Sequence, residues 1–354
     1  MLTKDSLNLE KSVSKFDQKK SFFSKEVKIT FISWAEYCSR SDNIARELGG
    51  SSHMVYCRSL GSNIFTVWLK YIVQFFKTQY VLFTNRPKVV FVMTPPVFAV
   101  LSIYFYSFLR KISYIIDAHT AAFLLPRWKY LQWLQRFLCR RAITTIVTNE
   151  YLADHVESGG GHASIIRDVP VLYDITEQFP TNDKFSIAVV CSFNYDEPIE
   201  EIFVAARQLS NIQFYMTGNP KDLAPSLTST VPENVILTGF LSNSAYMSLL
   251  TKADAVMTLT TRDHTMLRGA YEAVYHGTPV IISNWQLLKN AFHQGAIHVN
   301  NSSAEIVMAV RDMQIHYNFY KEDVLKLREK KYAEWEKQKD MLFTLILSKQ
   351  PQKR

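Results

Sequence analysis

The sequence predicts an α/β protein built from two doubly wound parallel-sheet domains. Short apolar runs rich in Val, Ile and Phe alternate along the chain with longer amphipathic stretches, which is the pattern of βα units whose strands are buried on both faces. At 354 residues, the chain is long enough for two domains of ordinary size. Gly-, Pro- and polar-rich segments at 157–162 and 169–183 interrupt the alternation near the middle, and they predict a linker there.

The first half contains five predicted strands, VKITFIS, HMVYC, KVVFVMT, SYIIDA and ITTIVT. Helical patterns lie between them at DNIARELGG, TVWLKYIVQFFKTQYVL and RWKYLQWLQRFLCRR. The longest apolar run, 94–109, has about 13 residues after its prolines. A membrane-spanning helix needs roughly 20 residues, so we expect no transmembrane segment.

The second half repeats the alternation. Strands are predicted at FSIAVVCS, IQFYMTG, NVILTGF, DAVMTLT, TPVIIS and AIHVN, and helices at IEEIFVAARQL, SAYMSLLTKA, GAYEAVYHG and WQLLKNAF. A long helical run, roughly 304–348, closes the chain. The predicted organisation is a flexible leader over 1–26, a first Rossmann-like domain over 27–175, a second over 176–330, and a final helix over 331–354 that returns to the first domain. Ligands of such sheets bind at the carboxyl ends of the strands, so the functional residues are expected there.

Charge is distributed unevenly between the two halves. Residues 1–150 carry 21 basic and 9 acidic groups, a net of +12, whereas the remainder carries 19 basic and 23 acidic groups, a net of −4. Between His53 and Arg141, twelve Lys or Arg residues accompany a single acid, Asp117. This asymmetry predicts that the first half faces a polyanion or an anionic membrane. The four cysteines form no CxxC pair, which argues against a disulfide framework or a zinc site and fits a reducing cytoplasm.

Lys and Arg alternate with aromatic residues in YIVQFFKTQYV, FLRK and PRWKYLQWLQRFLCRR. Three interpretations are open: a membrane-surface contact, a nucleic-acid contact, or aromatic core residues with a solvated basic face. No nucleic-acid-binding motif accompanies these stretches and the second half is acidic, so we predict a peripheral contact with an anionic membrane and no nucleic-acid partner. The first 26 residues lack an apolar core, and we expect no secretory signal.

A candidate anion site lies in the second half, where the strand AVMTLT is followed by the polar loop TRDHTMLR and a helix that starts near Gly269. The free N–H groups and dipole of a helix start attract anions, and Gly269 would let the backbone approach a diphosphate closely. Arg262 or Arg268 would neutralise the phosphate charge, and Glu272 would accept hydrogen bonds from a ribose diol. The alternative is that Arg268 and Glu272 form an ordinary i,i+4 ion pair.

The segment GAYEAVYHGTPVIISN, residues 269–284, resembles the EAxxxGxPVxxS signature of glycosyltransferase family 4, whose members have the two-domain GT-B fold. The preceding elements AVVCSFNYDEPIEEIFVAARQL, FYMTGN and NVILTGFLSNSAYMSLLTKADAVMTLT resemble successive parts of the family's second domain. DAHT, followed by RRAITTIVTNEYLADHV, resembles the end of its first domain. The resemblance therefore covers most of the chain and implies the GT-B fold, with two domains that face a central cleft. It also implies that the first domain, 27–175, binds the acceptor and that the second, 176–330, binds the nucleotide sugar.

The resemblance implies a role for each matching residue. Glu272 would bind the ribose hydroxyls of a nucleotide-sugar donor, and Phe240 and Leu241 would flank its base. Backbone donors to the diphosphate would come from Met266, Leu267, Arg268 and Gly269. Apart from the resemblance, Arg262 and Thr265 of the same loop are further candidates for donor binding. His119 resembles the family's cleft histidine that touches the donor sugar.

Two positions depart from the family pattern. The residue eight positions before Glu272 is usually a second glutamate and is His264 here, which we take as a catalytic candidate. The loop CSFNYDEP has acids where the family has a basic pair, so Arg262 and Arg268 are the candidates for meeting the phosphate charge.

Polar residues at two predicted strand ends of the first half supply further candidates. Asp117 stands two residues before His119 and would orient or charge its imidazole; the alternative is an Asp that caps the next turn beside a packed surface histidine. In the loop after the first strand, an acceptor sugar or lipid phosphate would bind Ser39, Arg40, Ser41 and Asp42. Asp42 is equally interpreted as a helix N-cap.

We therefore expect a glycosyltransferase that moves a sugar from a nucleotide-diphosphate donor to a hydroxyl of a glycan or lipid-linked acceptor, in cell-surface polysaccharide or glycoconjugate synthesis. The family resemblance implies retention of configuration, by front-face displacement in which backbone dipoles and arginines stabilise the leaving group. We expect no metal or other cofactor, and a cytoplasmic location at the inner face of the membrane. Two alternatives are a non-catalytic scaffold partner of another transferase and a nucleotide-sugar epimerase of the same fold.

Overall fold

A computed structural model describes residues 27–58, 60, 64–170 and 173–349. The predicted leader over 1–26 lies outside the described residues. The chain forms two compact units. The first comprises the chain up to Val169 together with the chain from Lys337, and the second runs from Pro170 to Glu336.

The first unit contains a six-stranded, all-parallel sheet in the order β2-β1-β3-β4-β5-β6. Its strands are β1 Ile29–Ser33, β2 Ser51–Met54, β3 Val89–Thr94, β4 Ser113–Ala118, β5 Thr145–Val147 and β6 Ala163–Ile165. The five predicted strands are confirmed. The sixth, β6, was not predicted because it is three residues long, only partly buried, and follows the Gly-rich segment that reads as a linker.

Helices connect these strands. They are α1 Ser39–Glu47, α2 Ile64–Asn85, α3 Val97–Arg110, α4 Ala121–Leu124, a 3₁₀ turn Pro126–Leu131, α5 Gln132–Cys139 and α6 Glu150–Ser158. The long apolar run of this half forms β3's last residue and α3, which starts directly after Pro96. Within the described residues, no helix combines the length and the apolar character needed to cross a bilayer.

The second unit contains another six-stranded, all-parallel sheet, in the order β12-β11-β10-β7-β8-β9. Its strands are β7 Ser186–Val189, β8 Gln213–Thr217, β9 Val235–Gly239, β10 Ala255–Thr258, β11 Val280–Ser283 and β12 Ala296–Val299. Its helices are α7 Ile199–Arg207, a 3₁₀ turn Pro220–Asp222, α8 Pro225–Thr228, α9 Asn243–Lys252, α10 Arg268–Tyr275, α11 Gln286–Ala291 and α12 Ser303–Ile315. All six predicted strands are confirmed.

Both faces of the second sheet are covered. Ile187 and Val189 of β7 belong to one apolar cluster, whereas Ala188 between them belongs to another, because successive side chains of a strand point to opposite faces. Burial on both faces explains why these strands read as continuous apolar runs. The predicted fold, two Rossmann-like doubly wound domains, is confirmed.

The last helix, α13 Tyr317–Ser348, begins in the second unit, and from Lys337 onward it belongs to the first. Its Lys339 is buried in the first unit, where Nζ lies 3.2 Å from Glu47 Oε2 on α1. The predicted return of the final helix to the first domain is therefore confirmed. The predicted run 304–348 is divided into α12 and α13 at His316.

Each sheet has a point where the chain leaves two adjacent strands in opposite directions. This switch lies between β1 and β3 in the first unit and between β7 and β10 in the second. In open α/β sheets, such a switch leaves a crevice at the carboxyl ends of the strands, where ligands bind. The loops after these strands, together with the helices that follow the loops, contain most of the predicted site residues.

Candidate functional site

In the second unit, the start of α10 lies against the end of β7, at the switch between β7 and β10. A Cβ built on Gly269 would stand 2.7 Å from Cγ1 of Val190, the residue after β7. No side chain larger than that of glycine fits there without a shift. The N-cap residue of α10, Leu267, makes no capping hydrogen bond with its side chain. The Leu267 side chain therefore does not compete with a ligand for the backbone N–H groups of the first turn. Helix starts that the backbone can approach closely are able to bind anions.

Glu272 lies on the second turn of α10 and is held by two partners. Its Oε1 accepts from Arg268 Nε at 2.7 Å, and its Oε2 accepts from the hydroxyl of Tyr246 at 2.7 Å. The i,i+4 ion pair considered from the sequence is therefore present. A carboxylate has about four acceptor positions, so two bonds leave capacity for a ligand diol. Burial raises the pKa of Tyr246, and the nearby Glu272 carboxylate raises it further, which keeps this hydroxyl a donor.

Tyr246 also connects Glu272 to the turn predicted to hold a base. Tyr246 lies on α9, which follows the turn at Gly239, where φ is +72°. Beside this turn Phe240 is 89% exposed, whereas Leu241 packs against the apolar cluster that contains Ala270 of α10. The structure thus brings the Phe240–Leu241 turn and Glu272 into one region of the second unit.

The two loops at the switch are joined through Asp196. Its carboxylate accepts from Thr260 Oγ1 at 2.8 Å and lies 3.5 Å from a guanidinium nitrogen of Arg262. Its backbone carbonyl accepts from the N–H of Thr261 at 2.7 Å. Arg262 also donates to the hydroxyl of Tyr195 and stacks over that ring. The acids in CSFNYDEP therefore have a structural role, and Arg262 is already engaged by protein groups.

Glu197 closes the same loop on itself. Its carboxylate accepts from the backbone N–H of Ser192, at 3.0 and 3.1 Å to its two oxygens, and from that of Asn194 at 2.9 Å. Between them, Phe193 has a positive φ of 57°. Burial raises the pKa of Glu197, while these N–H groups act in the opposite direction. A carboxylate of the chain itself thus occupies a concave set of backbone donors.

The tip of the loop before α10 is more exposed. His264 has a positive φ of 56°, its N–H donates to Asp263 Oδ1 at 2.6 Å, and its Nε2 lies 3.6 Å from Asp263 Oδ2. Thr265 Oγ1 donates to the Asp263 carbonyl at 3.4 Å, and Met266 packs partly against the core. These residues form the edge of the site rather than its floor.

In the first unit, Asp117 at the end of β4 is buried and bound to Arg40. Asp117 Oδ1 accepts from Arg40 Nε at 3.1 Å, and its Oδ2 is buried with no hydrogen-bond partner. The other guanidinium nitrogens donate to the carbonyls of Ile166, at 2.8 Å, and Arg167, at 3.2 Å. Arg40 thus fastens α1 to β4 and to the chain after β6.

Asp117, the predicted partner of His119, makes no hydrogen bond with it, because its Oδ1 is bound by Arg40 and its Oδ2 has no partner. The neighbour whose pKa His119 affects is Cys38. Burial alone would raise the pKa of Cys38, but the hydrogen bond and charge of His119, together with hydrogen bonding from Ser41, outweigh it and lower that pKa. Ser41 Oγ lies 3.2 Å from Cys38 Sγ and accepts from Ser33 Oγ at 2.8 Å. The imidazole nitrogen Nε2 of His119 is buried without a hydrogen-bond partner.

The remaining residues of the predicted acceptor loop lie at the start of α1. Cys38 is the N-cap, so Asp42 is inside the helix, where it forms an exposed i,i+4 pair with Arg46 at 3.4 Å. The N-cap interpretation of Asp42 is therefore wrong. Ser39 is half-buried, and its carbonyl accepts from the side chain of Asn43 at 2.7 Å.

Sequence reasoning missed four residues of these sites, namely Cys38, Tyr246, Asp196 and Glu197. The two acids were noticed only as an unusual loop composition. Tyr246 and Cys38 carried no local signal, because each acts on a residue far away along the chain. Across the described residues, no three His, Cys, Asp or Glu side chains come together as a metal site.

Comparison with solved structures agrees with the fold. Sucrose-phosphate synthase of Thermosynechococcus elongatus matches over 91% of this chain and 99% of its own, with a TM-score of 0.67 and 12% identity. The Anabaena protein HepE in complex with UDP-glucose matches over 90% and 100%, with a TM-score of 0.66 and 11% identity. A candidate UDP-N-acetylglucosamine 2-epimerase of Listeria monocytogenes matches over 84% and 91%, with a TM-score of 0.56 and 12% identity.

No protein-family model matches the sequence, and no curated protein sequence does. At these identities the structural likeness establishes the GT-B fold alone. Membership of glycosyltransferase family 4 stays a prediction.

Proposed function

We propose that this protein is a glycosyltransferase that moves a sugar from a nucleoside-diphosphate donor to a hydroxyl acceptor. One observation carries the proposal. Glu272 is buried one turn inside a helix whose start lies at a topological switch point, and its two oxygens are oriented by Arg268 and Tyr246. A pre-oriented carboxylate beside a helix start fits a ribose diol next to a diphosphate. The complex of HepE with UDP-glucose supports a donor of this class.

In the proposed binding mode, Glu272 accepts hydrogen bonds from the ribose hydroxyls. The backbone N–H groups from Met266 to Gly269 hold the diphosphate, with Thr265 at the edge of the loop. Arg268 is shared between Glu272 and the phosphate, and Arg262 is shared between Asp196 and the phosphate. The base lies against the Phe240–Leu241 turn, where one ring is already exposed.

Departure of the diphosphate places negative charge at the start of α10. Fixed backbone dipoles and nearby guanidinium groups stabilise such charge without reorganising. We propose transfer with retention of configuration, by front-face displacement and without a metal ion. His264 is the proposed catalytic group of the second unit, and His119 and Asp117 are those of the first. Ser39, Arg40, Ser41 and Asp42 are the proposed acceptor-binding residues. The proposed acceptor is a glycan or lipid-linked hydroxyl at the cytoplasmic membrane face, used to make cell-surface polysaccharide or glycoconjugate.

The first test is titration calorimetry of the full chain with UDP, GDP and UDP-glucose. We expect binding of at least one nucleoside diphosphate. Glu272→Gln keeps acceptor oxygen for Tyr246 but removes the charge, so it should weaken binding by about tenfold, on the scale of a lost charge-assisted hydrogen bond. Glu329→Gln, on an exposed position of α13, is the matched control and should bind as the parent does. Failure of every nucleoside diphosphate to bind would leave the scaffold alternative.

The second test follows the donor by NMR with and without an acceptor hydroxyl. A transferase consumes the donor only slowly, by hydrolysis, until an acceptor is added. An epimerase converts the donor sugar with no acceptor present, and the Listeria structure is the observation that favours testing for this. Epimerised donor in the acceptor-free sample would replace the transferase proposal.

A further inference from the structure

In the first unit, α2 and α3 expose a set of large apolar side chains. We call this set the aromatic face and define it as Trp68, Leu69, Ile72, Phe76, Tyr80 and Phe83 of α2 with Phe105, Phe108 and Leu109 of α3. Tyr80 and Phe108 are each 74% exposed. A solvent-facing helix surface normally carries polar residues, so this concentration of exposed rings needs an explanation.

The α2 members of the aromatic face form one stripe. At 100° per residue, the six positions fall within an arc of about 120°. Gln74, Thr78 and Leu82, at other positions on the same helix, are buried. The helix therefore has its core-facing side and, separately, an apolar side that faces solvent.

Direct contacts between the two helices make the aromatic face continuous. The rings of Phe75 and Phe105 lie 5.6 Å apart between centroids. Gln79 Nε2 donates to the Ser102 carbonyl at 2.9 Å, and the Tyr106 hydroxyl donates to the Leu82 carbonyl at 3.0 Å. Since these buried bonds hold α2 against α3, the parts of the aromatic face on the two helices lie on one continuous surface.

The segment of chain that contains the aromatic face carries charge of one sign. The sequence from Ile64 to Ile116 contains six Lys or Arg residues and no Asp or Glu. Lys77, Arg110 and Lys111 are exposed, and Arg110 lies over the ring of Phe83, 6.0 Å from its centroid. Such a surface attracts polyanions and repels other basic surfaces.

We propose that the aromatic face docks on an anionic lipid bilayer, with its rings and aliphatic side chains among the headgroups and its cations against lipid phosphates. Trp, Tyr and Phe beside Lys and Arg are the residues that lie at membrane interfaces. Anionic lipid attracts each nearby cation by about 1 kcal/mol. Binding to a second copy of the chain is less favourable, because it would bring two basic surfaces together. Binding to a nucleic acid is also less favourable, because Leu69, Ile72 and Leu109 would have no apolar partners. This proposal does not depend on glycosyl transfer and can fail or stand separately from it.

The test is flotation of the full chain with vesicles of phosphatidylcholine alone or mixed with phosphatidylglycerol. We expect the protein to float with the anionic vesicles, less so at high salt, and not with the neutral ones. Phe76→Ser with Phe108→Ser should lower vesicle affinity by about tenfold or more, because it removes two exposed rings that the bilayer would bury. Lys77→Gln with Arg110→Gln and Lys111→Gln should lower it by about fivefold for each charge removed.

The matched control removes equally exposed apolar groups from the second unit. Ile315→Ser with Phe319→Ser should float as the parent does. Circular dichroism checks that each variant is folded, and all substituted side chains are exposed in the structure. The proposal is overturned if the parent does not float, or if the aromatic and charge variants float as well as the parent. It is also overturned if ultracentrifugation shows a dimer that the aromatic variant abolishes.

Discussion

Gly269 lies so close to Val190 that a Cβ on the glycine would be 2.7 Å from Val190 Cγ1. The two residues belong to the start of α10 and the end of β7, the elements on either side of the proposed diphosphate position. The absence of a side chain at one residue therefore sets how near the helix start comes to the strand.

Gly269→Ala should destabilise the protein by about 1–3 kcal/mol, the usual cost of forcing an extra methyl into a packed site. Because the helix start must move to relieve the contact, nucleoside-diphosphate affinity should fall as well. Urea unfolding and titration calorimetry measure the two effects.

Val190→Gly in the same chain provides the control. A Cβ at position 269 would stand 2.7 Å from Val190 Cγ1 and 2.9 Å from Val190 Cβ, and loss of the whole valine side chain removes both contacts. Gly269→Ala should therefore cost much less stability and affinity in the Val190→Gly background than in the parent. Purely additive losses in the double variant would show that the contact with Val190 is not the cause.

Tyr246→Phe should reduce stability by about 1 kcal/mol and weaken nucleoside-diphosphate binding several-fold, because Glu272 loses one of the two donors that orient it. Tyr215→Phe is the matched comparison. Its hydroxyl is also buried in the second unit, where it accepts from the Asn182 N–H at 3.1 Å. That variant should lose similar stability with unchanged nucleotide affinity, measured by calorimetry. Equal effects of the two variants on binding would contradict a positioning role for Tyr246.

Arg40→Ala should destabilise the first unit by about 3 kcal/mol or more, because it leaves the buried Asp117 carboxylate without its cation. Arg46→Ala breaks an exposed pair with Asp42 on the same helix, and it should cost well under about 1 kcal/mol. Unfolding in urea compares the two. Adding Asp117→Asn to Arg40→Ala should restore part of the loss; no restoration would mean that the carbonyl contacts of Arg40 matter more than its charge.

Cys38 should react with iodoacetamide at lower pH than an ordinary thiol. Its pKa is lowered by His119 and Ser41 despite burial, so the reactive thiolate is present at lower pH and is lost as pH falls through that shifted pKa. Burial raises the pKa of Cys139 and Cys191 instead, and these thiols serve as internal controls. The protein is labelled at pH values between about 6 and 9, a range around the ordinary cysteine pKa of about 8.5. Mass spectrometry then measures how far each of the three thiols has reacted.

His119→Gln should move the labelling profile of Cys38 to higher pH, because it removes the imidazole that favours the thiolate. Faster labelling of Cys139 or Cys191 than of Cys38 in the parent, or an unchanged Cys38 profile in the variant, would disprove the pairing.

The local pattern of apolar and polar residues was sufficient to predict most strands and helices. A continuous apolar run indicates a buried strand, and an amphipathic stretch indicates a helix with one buried side. The element β6 escaped because three partly buried residues carry too little pattern. The placement of Glu272 just inside a helix was also predictable, because the helix start and its carboxylate are only a few residues apart.

Contacts between distant residues were not predictable in the same way. Tyr246 reaches Glu272 across 26 positions, and Thr260 reaches Asp196 across 64. The Asp196–Glu197 pair was noticed as acids in an unexpected loop, but nothing in the order of residues indicated that one joins two loops and the other fills a set of backbone donors. Asp117, the sequence neighbour predicted to orient His119, is bound by Arg40 instead, and His119 lowers the pKa of Cys38, which is distant along the chain.

By itself, the sequence determined two alternating series of strands and helices, a basic first half, and a carboxylate at a helix start. Each follows from periodicity or composition along the chain. Only the tertiary structure decided which partners orient Glu272, which acid holds Arg40, and which side of α2 faces solvent. The physical reason is that α2 is apolar around most of its circumference, so its sequence cannot tell the side that packs on the sheet from the side that does not; packing against a second element makes that choice.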